Sequence, residues 1–136
     1  MSNLEQTLSI IKPDAVERNL EDKIKTMFKN EGFKIVKEKK IKLEKIDAEK
    51  FYKVHETKPF YNDLCNYLSS GPVLVMVLKK ENAIADNREL MGATNPQDAA
   101  PGTIRKEFGI SIDKNSIHGS DSKDNAEKEI SFFFKD

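Results

Sequence analysis

Apolar positions along this chain switch between strand-like alternation, short unbroken runs and helical spacing, and the switches outline its elements. Thr7-Leu8-Ser9-Ile10-Ile11 is β-rich and largely apolar, the pattern of a buried first strand. Lys12-Pro13-Asp14 ends it, because Pro13 biases Lys12 toward extended geometry. From Leu20 to Asn30, Ile24, Met27 and Phe28 fall at i, i+3 and i+4, and Glu31-Gly32 supplies a stop. That spacing predicts an amphipathic helix packed on a sheet. A second strand opens at Phe33 and runs through Lys37-Glu38-Lys39-Lys40 to Leu43, its lysines forming a solvated face. Asp47 to His55 and Tyr61 to Leu68 read as two short helices split by Lys58-Pro59. Val73-Leu74-Val75-Met76-Val77-Leu78 is an unbroken apolar run, as expected of a central strand covered on both faces. Asn82 to Leu90 follows as a helix. The stretch from Met91 to Asn115 then carries Gly92, Pro96, Pro101 and Gly102, and so long an irregular segment inside a compact domain is usually functional. Asp121 or Ser122 can cap a last helix that sets Ala126, Ile130 and Phe133 on one face.

Pattern alone therefore gives an α/β or α+β fold, and the element order is compatible with a βαββαβ ferredoxin-like sheet carrying helices on one face. The 136 residues suit a single domain spanning 1–136 with a real core. Lys plus Arg and Asp plus Glu number 23 each, so no bulk field favours nucleic acid or a membrane surface, and any anion site must be built locally. Cys65 is the sole cysteine, which excludes an intrachain disulfide and a thiolate metal cluster. Neither a basic leader followed by a sustained apolar run nor a stretch near the ~20 apolar residues of a membrane helix is present, so a cytoplasmic protein is expected.

The chemistry concentrates in Asn115-Ser116-Ile117-His118-Gly119-Ser120-Asp121. A neutral imidazole is a nucleophile that needs no deprotonation near neutral pH, its unperturbed pKa being ~6.5. Ile117 suits a buried strand end, Gly119 allows a sharp bend or a close approach, and Ser120 and Asp121 offer groups to orient the ring or cap the next helix. Taken alone, a His in such company is more often structural than catalytic. The other histidine, His55, has no motif around it and reads as an ordinary helix residue.

Asn-x-x-His-Gly-Ser-Asp resembles the active-site signature of nucleoside diphosphate kinases. The resemblance runs nearly end to end, through TLSIIKPD at Thr7–Asp14, Lys58-Pro59-Phe60-Tyr61, Ser70-Gly71-Pro72, Gly92-Ala93-Thr94-Asn95-Pro96, Pro101-Gly102-Thr103-Ile104-Arg105 and Ala126-Glu127-Lys128-Glu129-Ile130. The family usually carries Gly where Asp22 stands, and many eukaryotic members have a longer C-terminal tail than the one ending at Asp136. A bacterial-type, short-tailed member is thus expected, with the family's ferredoxin-like four-stranded antiparallel sheet, helices packed on it and a long loop before the last strand.

The resemblance implies transfer of the γ-phosphate of a nucleoside triphosphate, typically ATP, to His118 and then to a nucleoside diphosphate, with ping-pong kinetics and low base specificity. His118, Lys12, Glu129 and Ser120 would be catalytic. Lys12, Tyr52, Phe60, Arg88, Thr94, Arg105 and Asn115 would bind nucleotide. Phe60 would stack on the flat face every base has, Tyr52 would face the same cleft, and the planar forks of Arg88 and Arg105 would grip phosphate oxygens. No carboxylate cage is evident, which suits Mg²⁺ held mainly by nucleotide oxygens and water, and no Gly-x-x-x-x-Gly-Lys-Ser/Thr loop marks a P-loop kinase. The implied partners are nucleoside di- and triphosphates and further copies of the chain, as a tetramer or hexamer. Two rival classes are a catalytically silent nucleotide-binding module, against which the intact set of site residues counts, and an RNA-binding sheet, which the balanced charge does not support.

Overall fold

The computed structural model describes residues 4–112 and 114–134. Four strands, β1 (Leu4–Ile11), β2 (Lys34–Ile41), β3 (Val73–Glu81) and β4 (Ile117–Gly119), form one antiparallel sheet in the order β2-β3-β1-β4. The helices are α1 (Pro13–Glu17), α2 (Glu21–Asn30), α3 (Lys45–Phe51), α4 (Tyr61–Leu68), α5 (Ala83–Met91), α6 (Ile104–Phe108) and α7 (Lys123–Phe133), with single 3₁₀ turns at Lys53–His55 and Pro96–Asp98. This is the ferredoxin-like arrangement expected.

The alternation of β1 and β3 sorts the core into two layers. Ile11, Leu74, Met76 and Leu78 face the crossover helices α2 and α5 and pack with Ile24, Phe28, Ala83 and Met91. Leu8, Ile10, Val73 and Val75 face the opposite way and pack with Ala48, Tyr52, Cys65, Leu68 and Phe133 from α3, α4 and α7. Helices therefore cover both faces rather than one. The central run Val73–Leu78 requires this, since its side chains are apolar on both sides and all six residues are buried. Burying a side chain such as Phe28 in such a layer stabilises by about 2 kcal/mol.

β2 lies at the sheet edge with its lysines largely solvated, and a register shift between Ile35 and Lys37 breaks its pairing, a common way to blunt an edge. Pro13 opens a short helix as well as ending β1, its fixed φ suiting a first helical position. The stretch from Met91 to Asn115 is less irregular than its composition suggests. It holds the second 3₁₀ turn and α6, capped by Thr103, whose side-chain oxygen accepts from the Lys106 amide. Gly92 closes α5 at φ +86°, where a Cβ would sit 2.5 Å from the Thr103 hydroxyl.

Candidate active site

β4 is only three residues long, but its pairing sets the site. Ile10 lies opposite His118 and Ile11 opposite Ile117, so the pleat sends Ile117 into the α2/α5 layer and His118 toward α3 and α7. There the ring meets Phe51 edge-on at a centroid distance of 5.2 Å and Tyr52 at 6.3 Å. Its Nε2 lies 2.9 Å from Glu129 Oε1, and the Ser120 hydroxyl donates to the same oxygen at 2.9 Å. Ser120 is itself locked to β1, its amide donating to the Leu8 carbonyl at 3.1 Å and its Oγ accepting from the Leu8 amide at 3.3 Å.

Glu129 arrives on α7, whose position follows from burial of Ala126 and Phe133 and from the Ser122 cap, which accepts from the Asn125 amide at 3.1 Å. Asp121 does not cap α7. Its carboxylate accepts from Asn125 Nδ2 at 2.6 Å, and that bond holds its pKa below the usual range. Gly119 does not bend the chain sharply; it allows a close approach, because a Cβ there would lie 2.3 Å from Asn87 Nδ2 and 2.8 Å from Met91 Sδ on α5.

A second set gathers at the exit of β1. The Lys12 amide donates to the Ser116 carbonyl at 2.8 Å, extending the β1–β4 pairing, and Lys12 Nζ donates to Asn115 Oδ1 at 3.0 Å. Asn115 Nδ2 donates in turn to the carbonyls of Thr94 and Ile112, each at 3.2 Å. Thr94 thus contributes its backbone, while its side chain is exposed. Arg105 is buried, its guanidinium donating to the Gly92 carbonyl at 3.0 Å and the Ile117 carbonyl at 2.8 Å. Burial and, secondarily, the nearby Arg88 charge lower its pKa to about 10. Arg88 is exposed, and its side chain makes no hydrogen bond or ion pair among the described residues.

A cleft of about 270 Å³ opens onto the imidazole, walled by Phe51, Tyr52, His55, Asp121 and Glu129 among others. Tyr52 is almost fully buried, and burial pushes its hydroxyl pKa up, with a smaller push from Glu129. Phe60 is 47% exposed and stands apart from His118, joined to it through His55 at 6.0 Å and Tyr52 at 6.1 Å from His55. His55 therefore lines the cleft instead of being an ordinary helix residue. Burial and then Lys58 lower its pKa. Phe51 of α3 counts among the cleft residues too. Nothing local in the sequence distinguishes a packing phenylalanine from one whose edge meets the ring of His118.

Comparison with known proteins follows the same lines. The family model described as nucleoside diphosphate kinase matches residues 5–136. The chain is 60% identical over 131 residues to the nucleoside diphosphate kinases of a Nitratiruptor species and of Campylobacter concisus, covering 96% of each chain. Among solved structures it superposes on the nucleoside diphosphate kinase of Aquifex aeolicus with a TM-score of 0.95 at 43% identity, covering 96% of this chain and 95% of that one. On the enzyme of Encephalitozoon cuniculi the TM-score is 0.94 at 39% identity, covering 97% and 90%.

Proposed function

The chain belongs to the nucleoside diphosphate kinase family and is a phosphotransferase, and from that premise we propose that it works through a phosphohistidine on His118. One observation carries the reading: Nε2 of His118 is engaged by the Glu129 carboxylate at 2.9 Å. A carboxylate at that distance selects the tautomer with the proton on Nε2 and leaves the Nδ1 lone pair as the nucleophile. Nδ1 has no hydrogen-bond partner among the described residues. Its lone pair attacks the γ-phosphorus of a nucleoside triphosphate; the N–P bond forms as the bridging P–O bond breaks, and the diphosphate leaves with that electron pair. A second diphosphate then attacks the phosphohistidine in the reverse sense, giving ping-pong kinetics.

Glu129 orients the ring and stabilises the positive charge it gains, and Ser120 orients Glu129 through their 2.9 Å bond. Lys12, Arg88 and Arg105 offset charge on the phosphate oxygens, and Asn115 with Thr94 contacts sugar or phosphate. Phe60 stacks on the base and Tyr52 lines the slot, which gives weak discrimination between bases. Mg²⁺ fits this site as an ion carried on the phosphates, since the described residues include no group of three or more His, Cys, Asp or Glu side chains placed to hold it, and when bound it would neutralise charge on the phosphate oxygens. The chain works as one domain, 1–136, in the cytoplasm, and self-associates as a tetramer or hexamer. The described residues include no helix long and apolar enough to cross a membrane, and Ile110 and Ile112 are 57% and 54% exposed in the loop that contributes subunit contacts in the family.

Intact-protein mass spectrometry after mixing with Mg·ATP, then a chase with GDP, tests the reading. An acid-labile phosphate adduct on His118 that leaves as GTP is expected, with His118→Ala binding nucleotide but forming neither. Exchange that survives in His118→Ala refutes the assignment.

A further inference from the structure

Ser116 is fully buried and adopts φ +74°, a left-handed conformation that non-glycine residues keep only where the surroundings over-determine it. Those surroundings centre on Asp14, a carboxylate only 5% exposed in the first turn of α1. Oδ2 of Asp14 accepts from the Ser116 hydroxyl at 2.6 Å and from the Arg18 guanidinium at 3.0 Å, while Oδ1 accepts from the Tyr67 hydroxyl of α4. The Asp14 amide donates back to the Tyr67 oxygen at 3.0 Å. Arg18 ties in the end of α6 by donating to the Phe108 carbonyl at 2.6 Å, and also reaches Ser116 Oγ at 3.2 Å. Burial and the Asp14 bond push the Tyr67 pKa up, so its hydroxyl stays a donor.

Both carboxylate oxygens are thus occupied, which rules out a role in handling substrate directly. What Asp14 does join are the chain neighbours of two nucleotide-facing side chains. Lys12 lies two positions before it and Asn115 directly before Ser116, and the two meet at 3.0 Å through Nζ and Oδ1. We propose that Asp14, through the Ser116, Arg18 and Tyr67 bonds, is a positioning residue that holds Lys12 and Asn115 in register to receive the sugar and phosphates of a nucleotide, without touching the nucleotide itself. This rests on the functional reading above.

The consequence is selective. Loosening the clamp misplaces the nucleotide but leaves the His118–Glu129–Ser120 group, which is built from β4, β1 and α7, in place. Phosphoramidate distinguishes the two, because it phosphorylates a histidine nitrogen with loss of ammonia and presents no nucleoside. In Asp14→Asn the amide NH₂ must face either the Ser116 hydroxyl and Arg18 guanidinium or the Tyr67 hydroxyl, all of which donate to the carboxylate, and Arg18 loses its counter-charge. We expect ATP-driven labelling of His118 to fall about 10²-fold in kcat/KM with KM raised, the scale of a misplacement near 1 Å. Phosphoramidate-driven labelling should stay within about twofold of wild type. Ser116→Gly, which relieves the left-handed strain and removes only the tether, should show the same split, and Tyr67→Phe a weaker one. Should Asp14→Asn fail to fold by circular dichroism, these two variants decide the matter. Wild-type ATP kinetics in the folded variants, or equal losses with both donors, overturns the proposal. Wild-type protein labelled by phosphoramidate but never by ATP instead refutes the functional reading on which it stands.

Discussion

At the scale of single residues, the site is a set of side chains each fixed by a second group. Glu129 carries the most consequence, because one oxygen serves both the His118 ring and the Ser120 hydroxyl. Glu129→Gln keeps the shape but turns a charged acceptor into a neutral amide, which on the proposed phosphohistidine mechanism removes the electrostatic partner of the ring as it gains charge. Phosphorylation in a rapid-quench experiment should slow by about 10²-fold, the range for one acid–base or orienting group, with nucleotide affinity little changed. An equal loss in affinity would place Glu129 among the nucleotide contacts instead. Gly119 makes a different kind of demand. A Cβ there would lie within 2.3 Å of Asn87 Nδ2, so Gly119→Ala must displace the buried side-chain ends of Asn87 and Met91 on α5. Overpacking of this kind costs about 1–3 kcal/mol, to be read as a lower urea midpoint. An unchanged midpoint would mean that α5 yields freely at this contact.

At the scale of elements, local pattern and packing agreed wherever an element satisfied itself. β1, β3 and α2 were legible because their apolar periods already match the faces they bury. Helices on the second face were harder to place, since an amphipathic stripe such as that of α7 states which side is buried but not against which layer. α1 and α6 are too short to show a period, and each owes its form to a proline or a cap. Site residues were legible as a family motif and not as geometry. His55 lines the cleft, and Asp14 reaches Ser116 across 102 positions of sequence, a separation that no local signal spans. The α5–β1 layer holds one further feature hidden from pattern. Thr7 Oγ1 is buried on β1 with no hydrogen-bond partner among the described residues, so its desolvation is uncompensated. Thr7→Val exchanges that hydroxyl for a methyl of the same shape and should raise stability by about 1 kcal/mol in urea denaturation. A destabilised variant would reveal a bound water partnering the hydroxyl.

At the scale of the whole molecule, the two layers divide the work. One layer, with α2 and α5, backs the strand that presents Ile117, and the other, with α3, α4 and α7, forms the aromatic wall of the cleft as well as a hydrophobic core. Stability of that second layer and order in the cleft are therefore linked, and Cys65 reports on both. The thiol is fully buried on α4 in the same cluster as Tyr52 and Phe133, and burial raises its pKa. Thiolate is the reactive form, so at neutral pH a disulfide reagent such as dithionitrobenzoate can label Cys65 only through an opening of this layer. In its bimolecular regime the labelling rate then measures the free energy of that opening. A nucleotide that binds only the closed cleft adds RT ln(1 + [L]/Kd), so Mg·ADP at a hundredfold excess over its dissociation constant should slow labelling about 100-fold. The His118→Ala variant, which keeps the binding groups, should show nearly the same slowing. Labelling that is fast in the free protein and indifferent to nucleotide would mean that α4 opens independently of the cleft, and that the aromatic wall and the layer behind it are not one cooperative unit.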